Sequence, residues 1–209
     1  TSRRQRQMCI RDSYLFHPAR PFYQAPIDKG TEYSAAKLIG TLSESSNKPR
    51  FFQMVSGDAK ESISYPEAAR WLLLVIAYDD TSAKPTVPKS GLPSPGAGWV
   101  GKIGPVYFTG DNLFQTLLLN MPFFNMILNE PFTEGVATWE PEVADVSERR
   151  EIPLPGSPIE LLTIQSRRIL LKRIDGRVTG FLLLGGDFFQ KENAFIEQMT
   201  AWHRTKEGG

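Results

Sequence analysis

Two strand-like runs, Arg168–Ile174 and Arg177–Leu184, flank the dipeptide Asp175-Gly176, and this is the feature that most constrains the fold. Asp-Gly between alternating runs is a strong two-residue hairpin signal. An antiparallel hairpin is therefore expected near the C-terminal end, and Gly185-Gly186-Asp187 turns the chain again directly after it.

Upstream, Ser64-Tyr-Pro-Glu67 reads as a helix start, because proline suits the first turn and glutamate complements the helix dipole there. Ala68, Ala69, Trp71, Leu72, Leu73, Val75 and Ile76 make the following turns apolar nearly all round. That pattern predicts a buried core helix ended by Asp79-Asp80. From Thr81 to Gly98, four prolines (85, 88, 93, 95) and three glycines (91, 96, 98) forbid regular structure. A loop of this length is functional or disordered. Ile103–Thr109 is a strand candidate, and Asp111 is read as the N-cap of a helix over Asn112–Met121, ended by Pro122.

The remaining stretches are less regular. Tyr14–Gln24 is aromatic and punctuated by Pro18 and Pro21, so it reads as an ordered irregular segment. Thr31–Ile39 predicts a short helix and Phe51–Val55 a brief strand. Glu130–Pro158 is acidic and proline-rich, and reads as a surface excursion. No internal repeat is present. The fold class expected is α+β: an irregular mixed α/β fragment with a buried helix, short strands and a C-terminal β-hairpin.

Residues 1–13 are set apart from this reading. Arg3-Arg-Gln-Arg-Gln-Met-Cys-Ile-Arg-Asp12 resembles one frame of a transposon-adapter oligonucleotide used in sequencing libraries. A generic basic arm is the alternative, but a full adapter frame is far less expected by chance, so the segment is excluded as an artefact. The only cysteine, Cys9, goes with it, leaving no disulfide framework and no cysteine-based zinc site. The 209 residues carry a net charge of +1, so nucleic acid could be met only through a local basic patch. The longest apolar run, Trp71–Ala77, is too short to span a membrane, and the chain reads as a soluble cytoplasmic protein with no membrane partner.

No hydrolase constellation emerges. His17 and His203 are far apart and outside zinc-ligand spacing. His17 reads as a hydrogen-bonded structural residue, and Asp79-Asp80 as a helix end rather than a magnesium pair. Gly91, Gly96, Gly98 and Gly101 miss both phosphate-binding glycine spacings. Lys84, Lys89 and Lys102 could reach phosphates, with Ser82, Ala83 and Ser90 admitting close main-chain approach. On residue chemistry alone, ordinary solvated lysines remain the stronger reading. Gln165-Ser-Arg-Arg168 offers two adjacent guanidiniums, aimed differently by strand alternation, with a salt bridge to the acidic 140–151 region as the plainer option. Phe16, Phe22, Tyr23 and Phe51 read as core rather than as a base-stacking platform.

Seven segments taken in order resemble one family. They are Leu15-Phe-His-Pro-Ala-Arg-Pro-Phe-Tyr-Gln24, Glu67-Ala-Ala-Arg-Trp-Leu-Leu73, Gly98-Trp-Val-Gly-Lys-Ile-Gly104, Gly110–Asn120, Gln165-Ser-Arg-Arg-Ile169, Gly176-Arg-Val-Thr-Gly180 and Met199-Thr-Ala-Trp202. Together they are similar to the CasA family, the large subunit of the type I-E CRISPR surveillance complex, Cascade. The resemblance implies a non-catalytic antiviral-defence subunit without cofactor or metal. It implies that such a subunit recognises the protospacer-adjacent motif in double-stranded DNA, aids unwinding and recruits an effector nuclease-helicase. Other Cascade subunits and the guide RNA are the further partners implied. Residues 14–209 would be the central part of the family's N-terminal domain, without its C-terminal helical bundle.

By the same resemblance, Thr81, Ser82, Ala83 and Lys84 correspond to the loop entering the minor groove, though no glycine occurs there before Gly91. Lys89 belongs to the same basic loop. Lys191 is the candidate for a DNA-contacting lysine in the Gly185–Glu192 region. Phe52, Gln53 and Met54 correspond to the segment facing the guide-RNA handle and incoming DNA. Where some members place paired cysteines for zinc, this chain has Asp175-Gly176. A hydrolytic enzyme and a generic protein-interaction domain are the alternatives.

Overall fold

A computed structural model of the chain describes residues 14–43, 49, 51–78, 97–121, 124–125, 130–131, 135–140, 151–152 and 157–189. In chain order the elements are β1 (Thr31–Ser34), α1 (Ala35–Leu38), α2 (Asp58–Glu61), α3 (Tyr65–Tyr78), α4 (Trp99–Ile103) and α5 (Leu113–Leu119). There follow β2 (Phe124–Asn125), β3 (Glu130–Pro131), β4 (Glu151–Ile152), α6 (Pro158–Thr163), β5 (Arg167–Ile174), β6 (Arg177–Gly185) and β7 (Phe188–Phe189). The α+β class with its hairpin near the C-terminal end is what the sequence predicts.

The hairpin β5–β6 is the centre of the fold. Asp175 and Gly176 both take positive φ, 48° and 76°, as the tight turn requires. β1 joins β6 on its other edge to give an antiparallel sheet of order β1-β6-β5. Opposed residues share a face, and here both faces are covered. Ile169 lies opposite Leu183, and Leu171 opposite Phe181. This set meets Leu38, Leu72, Val75 and Ile76 in the main core. The alternate set, Leu170 opposite Leu182, joins Leu184, Ala25 and Ile27 in a second cluster. A one-residue slip would exchange the two sets, so burial on both sides pins the register.

Helix α3 begins as expected, with Pro66 in its first turn. It is not buried on all sides, however. Ala68, Leu72, Val75 and Ile76 form the buried stripe, at the spacing that one helix face demands. Leu73, Leu74 and Tyr78 lie on the opposite side and are substantially exposed.

Several expectations are corrected. Thr31–Ile39 is a strand before it is a helix: Tyr33 stacks on Phe181 with ring centroids 5.5 Å apart, and the first four residues pair with β6. Phe51–Val55 forms no strand. Phe51, Phe52 and Met54 are 91%, 99% and 98% exposed, with no neighbouring strand among the described residues. Phe51 therefore leaves the aromatic core, whereas Phe16, Phe22 and Tyr23 stay in it.

Ile103–Thr109 is likewise not a strand; Ile103 closes α4. The main chain at Phe108 finds a side chain as its partner: its N–H donates to Asn120 Oδ1 at 2.7 Å, and its carbonyl accepts from Asn120 Nδ2 at 2.6 Å. The α5 cap is Asn112, one residue later than expected, accepting from the Gln115 N–H at 2.9 Å. Asp111 instead donates its N–H to Gln115 Oε1 at 2.8 Å.

The 130–158 stretch is not wholly a surface excursion. Trp139 sets its ring edge-on to Tyr23 at 4.9 Å and to Phe22 at 5.3 Å. Ala137 and Ser157 are buried, and the Thr138 N–H donates to Thr163 Oγ1 at 3.1 Å.

Candidate nucleic-acid interface

Tyr78 ends α3 and Ala97-Gly98 precedes α4, so the residues that flank the basic 79–96 segment on both sides, its stems, are placed. They lie against each other. A Cβ at Gly98 would collide with the Ala77 carbonyl, and one at Gly101 would stand 3.0 Å from the Tyr78 oxygen. Only glycine lets the backbones approach this closely. Trp99 then buries its ring with Leu161 and Ile164 of the α6 end, anchoring the returning stem by its largest side chain.

A single hydroxyl joins the stems. Ser166, 3% exposed, donates to the Ile76 carbonyl at 3.1 Å and accepts from the Trp99 N–H at 3.4 Å. It sits just before β5, so the start of the central hairpin, the end of α3 and the beginning of α4 meet at one buried oxygen.

The far end of β6 returns to the same place. The Gly186 N–H donates to the Ser166 carbonyl and the Asp187 N–H to the Gln165 carbonyl, both at 3.0 Å. A Cβ at Gly186 would overlap the Gln165 carbonyl oxygen. Arg168 reaches Asp187 Oδ1 at 3.0 Å with both side chains buried, and also donates to Gln165 Oε1 at 3.4 Å. Arg167 is fully buried and donates to the Ser166 carbonyl at 3.4 Å.

Neither arginine therefore points outward. Strand alternation sends them to opposite faces, but both faces are covered at this end of the sheet. Among the described residues Asp187 is an acidic partner of Arg168; residues 141–150, the acidic region that sequence reasoning offered, lie outside them. A charge removed from water needs a partner of this kind.

The structure separates the predicted residues into two groups. Phe52, Gln53 and Met54 lie in an exposed bend, with the Phe52 and Met54 side chains open to solvent. Thr81, Ser82, Ala83, Lys84, Lys89 and Lys191, together with Asp79-Asp80 and the 1–13 segment, lie outside the described residues. Lys102 is placed within α4 by its backbone alone. Yet the described stems of both DNA-assigned segments, Tyr78/Gly98 and Asp187–Phe189, depart from the Gln165–Arg168 corner.

His17 is structural: its Nδ1 accepts from the Ala19 and Arg20 N–H groups at 3.2 and 3.0 Å. It borders an open cleft of about 420 Å³ whose walls include Pro18, Pro21, Gln24, Asp28 and Arg173. Among the described residues no group of three or more His, Cys, Asp or Glu could hold a metal ion. Among them, too, no helix is long and apolar enough to cross a membrane.

Sequence reasoning missed Ser166, Gly98 and Gly186 as determinants of this corner. The adjacent glycines at a strand end were the available signal, since glycine there marks a close backbone approach.

Comparison with known proteins adds the identity of this arrangement. The family described as CRISPR-associated protein Cse1 matches residues 12–209. The chain belongs to the Cse1 family. The crystal structure of Cse1 from Thermobifida fusca is similar at 27% identity and a TM-score of 0.66, covering 96% of this chain and 38% of that one. Thermus thermophilus CasA (Cse1) shares the fold at 23% identity and a TM-score of 0.63, covering 99% and 41%. So does a chain of a CRISPR RNA-guided surveillance complex in a pre-nicking state, at 21% and 0.63, covering 93% and 39%. This Cse1-family chain thus spans about two fifths of the length of these relatives. No curated protein matches it.

Proposed function

We propose that this chain is the DNA-recognising part of the large, non-catalytic subunit of a cytoplasmic, RNA-guided Cascade surveillance complex. It reads the protospacer-adjacent motif in double-stranded DNA, helps open the duplex and recruits a nuclease-helicase. The observation that carries the reading is the convergence of the stems of residues 79–96 and of the segment after Phe189 on one buried corner, in a Cse1-family chain. A loop held at both ends by a rigid scaffold is the usual means of presenting main chain and short side chains to a ligand.

In this reading Thr81–Lys84 enters the minor groove. Ser82 and Ala83 offer main-chain contacts, while Lys84 neutralises a phosphate beside the motif or lines the groove floor, and Lys89 and Lys191 meet phosphates. The minor groove distinguishes base pairs poorly, so the loop accepts a small set of related motifs. Guide pairing supplies the rest of the specificity, the division of labour of guided nucleases. Phe52, Gln53 and Met54 face the guide-RNA handle and incoming DNA, alongside the other subunits.

Lys84→Ala, in the full-length protein assembled in its complex, is expected to weaken binding of a motif-bearing duplex by about 1–3 kcal/mol. Binding of a single-stranded target, which needs no opening, stays unchanged. Equal loss on both targets would make Lys84 a generic phosphate contact. Unchanged binding of both would move motif reading away from this loop.

A further inference from the structure

We infer that Ser166 is a positioning residue for duplex recognition: its buried hydroxyl sets the separation of the two stems from which the 79–96 loop springs. The inference rests on the assignment of that loop to DNA.

The hydroxyl is poised between two main-chain groups that are far apart in sequence. It donates to the Ile76 carbonyl in the last turns of α3 and accepts from the Trp99 N–H at the first residue of α4. Each is a helix-terminal group. The Trp99 N–H is among those that α4 itself leaves without a partner. A serine hydroxyl is the smallest side chain that both donates and accepts.

The neighbourhood leaves this oxygen little freedom to move. The Ser166 carbonyl accepts from the Gly186 N–H, and the Ser166 N–H donates to the Ile164 carbonyl at 2.9 Å. Gly186 cannot carry a Cβ there, and the adjoining Gln165 carbonyl holds the Asp187 N–H. Gly98 admits no Cβ against Ala77 on the other side. The Ser166 oxygen, whose own backbone is tied to the sheet, thus adds a directional link between the stems to the burial of Trp99 and the close glycine contacts that also hold them. Groove contacts depend on distances of a few tenths of an ångström, so the spacing of the residues flanking 79–96 bears on them.

The test places Ser166→Ala, Ser166→Cys and Gly98→Ala in the full-length subunit within its assembled complex. Affinity is measured for a motif-bearing duplex and for the matching single strand, with Lys84→Ala run in parallel. Ser166→Ala should lower duplex affinity about tenfold, the scale of a buried main-chain pair left unsatisfied, while single-strand affinity stays within about twofold. Ser166→Cys keeps the shape with a weaker donor and should fall between Ala and wild type. Gly98→Ala perturbs the same separation without removing a hydrogen bond and should reproduce the duplex-selective loss. If Ser166→Ala does not assemble, Ser166→Cys and Gly98→Ala decide by the same ratio.

Equal losses on both targets would overturn the inference by reducing Ser166 to a general stability role. So would unchanged duplex binding in the Ser166 variants while Lys84→Ala remains defective, although the assignment of the loop would then stand. If Lys84→Ala and the Ser166 variants all bind duplex normally, the loop assignment fails together with the inference.

Discussion

The main apolar core and the Gln165–Asp187 corner occupy the same hairpin, and both are buried, yet different physics holds them. In the core, Ile169, Leu171, Val178, Phe181 and Leu183 meet α1 and α3 through many interchangeable contacts. Each contact is weak and the sum is large. At the corner, Ser166, Arg168, Gly186 and Asp187 are each joined to named partners at fixed distances. The first region supplies most of the stability. The second supplies position, because a hydrogen bond specifies distance and direction where apolar burial specifies neither. It is the positional region from which the two DNA-assigned segments depart.

The sharpest way to break this contrast is to remove one partner of the buried ion pair. Asp187→Ala takes the carboxylate at 3.0 Å from the buried Arg168 guanidinium and is expected to cost about 3–5 kcal/mol in urea unfolding of the full-length protein. Replacing both partners, Arg168→Met with Asp187→Leu, should recover most of that loss, since a well-packed apolar pair matches a buried ion pair in stability. If the double variant is as unstable as Asp187→Ala, the corner depends on more than charge balance.

The core responds differently. Leu72→Ala, at a fully buried position of α3, should cost about 2–5 kcal/mol. Duplex and single-strand binding of the complex should fall together as folded protein is lost. A duplex-selective defect from Leu72→Ala would blur the distinction between the two regions.

A smaller effect is expected at Tyr23, whose hydroxyl donates to the Thr163 carbonyl at 2.7 Å. Burial pushes the phenol well above its ordinary value, so the folded state holds the proton more tightly than the unfolded chain does. Its contribution is full below about pH 10, the unfolded phenol's range, and declines as pH rises toward the folded value. Tyr23→Phe should lose about 1 kcal/mol at neutral pH, the worth of one hydrogen bond. It should also lessen the fall in stability between about pH 9 and about pH 11. An unaltered alkaline slope in the variant would assign that slope to other groups.

The same contrast explains what was legible in the sequence. Periodicity and turn chemistry are local, so Asp175-Gly176 placed the hairpin and Pro66 placed the start of α3. Local patterns also carried the α+β class. What they could not reveal was pairing across long separations. Ser166 meets Ile76 and Trp99 across 90 and 67 residues, and no period in the chain announces it. The strand expected at Ile103–Thr109 failed for a related reason. Asn120 occupies the main chain of Phe108, a substitution of side chain for strand that β propensity does not register. The adjacent arginines are legible as two guanidiniums with a salt bridge as the plainer option, but the burial of both is not, because arginine is so seldom buried. Residue chemistry allows Lys84 and Lys89 to reach phosphates, but the assignment of residues 81–84 and of Lys191 to DNA comes from family resemblance.

The central claim is that DNA is met at the corner end of the hairpin and not at its turn. Site-specific photo-cross-linking tests it most directly, with the photoreactive residue at Ala83 in one full-length variant and at Ile174, beside the Asp175-Gly176 turn and 63% exposed, in another. Each would be assembled into the complex and irradiated with motif-bearing duplex. The account predicts cross-links from position 83 to bases beside the motif and none from position 174. Cross-links from position 174 with none from position 83 would contradict it.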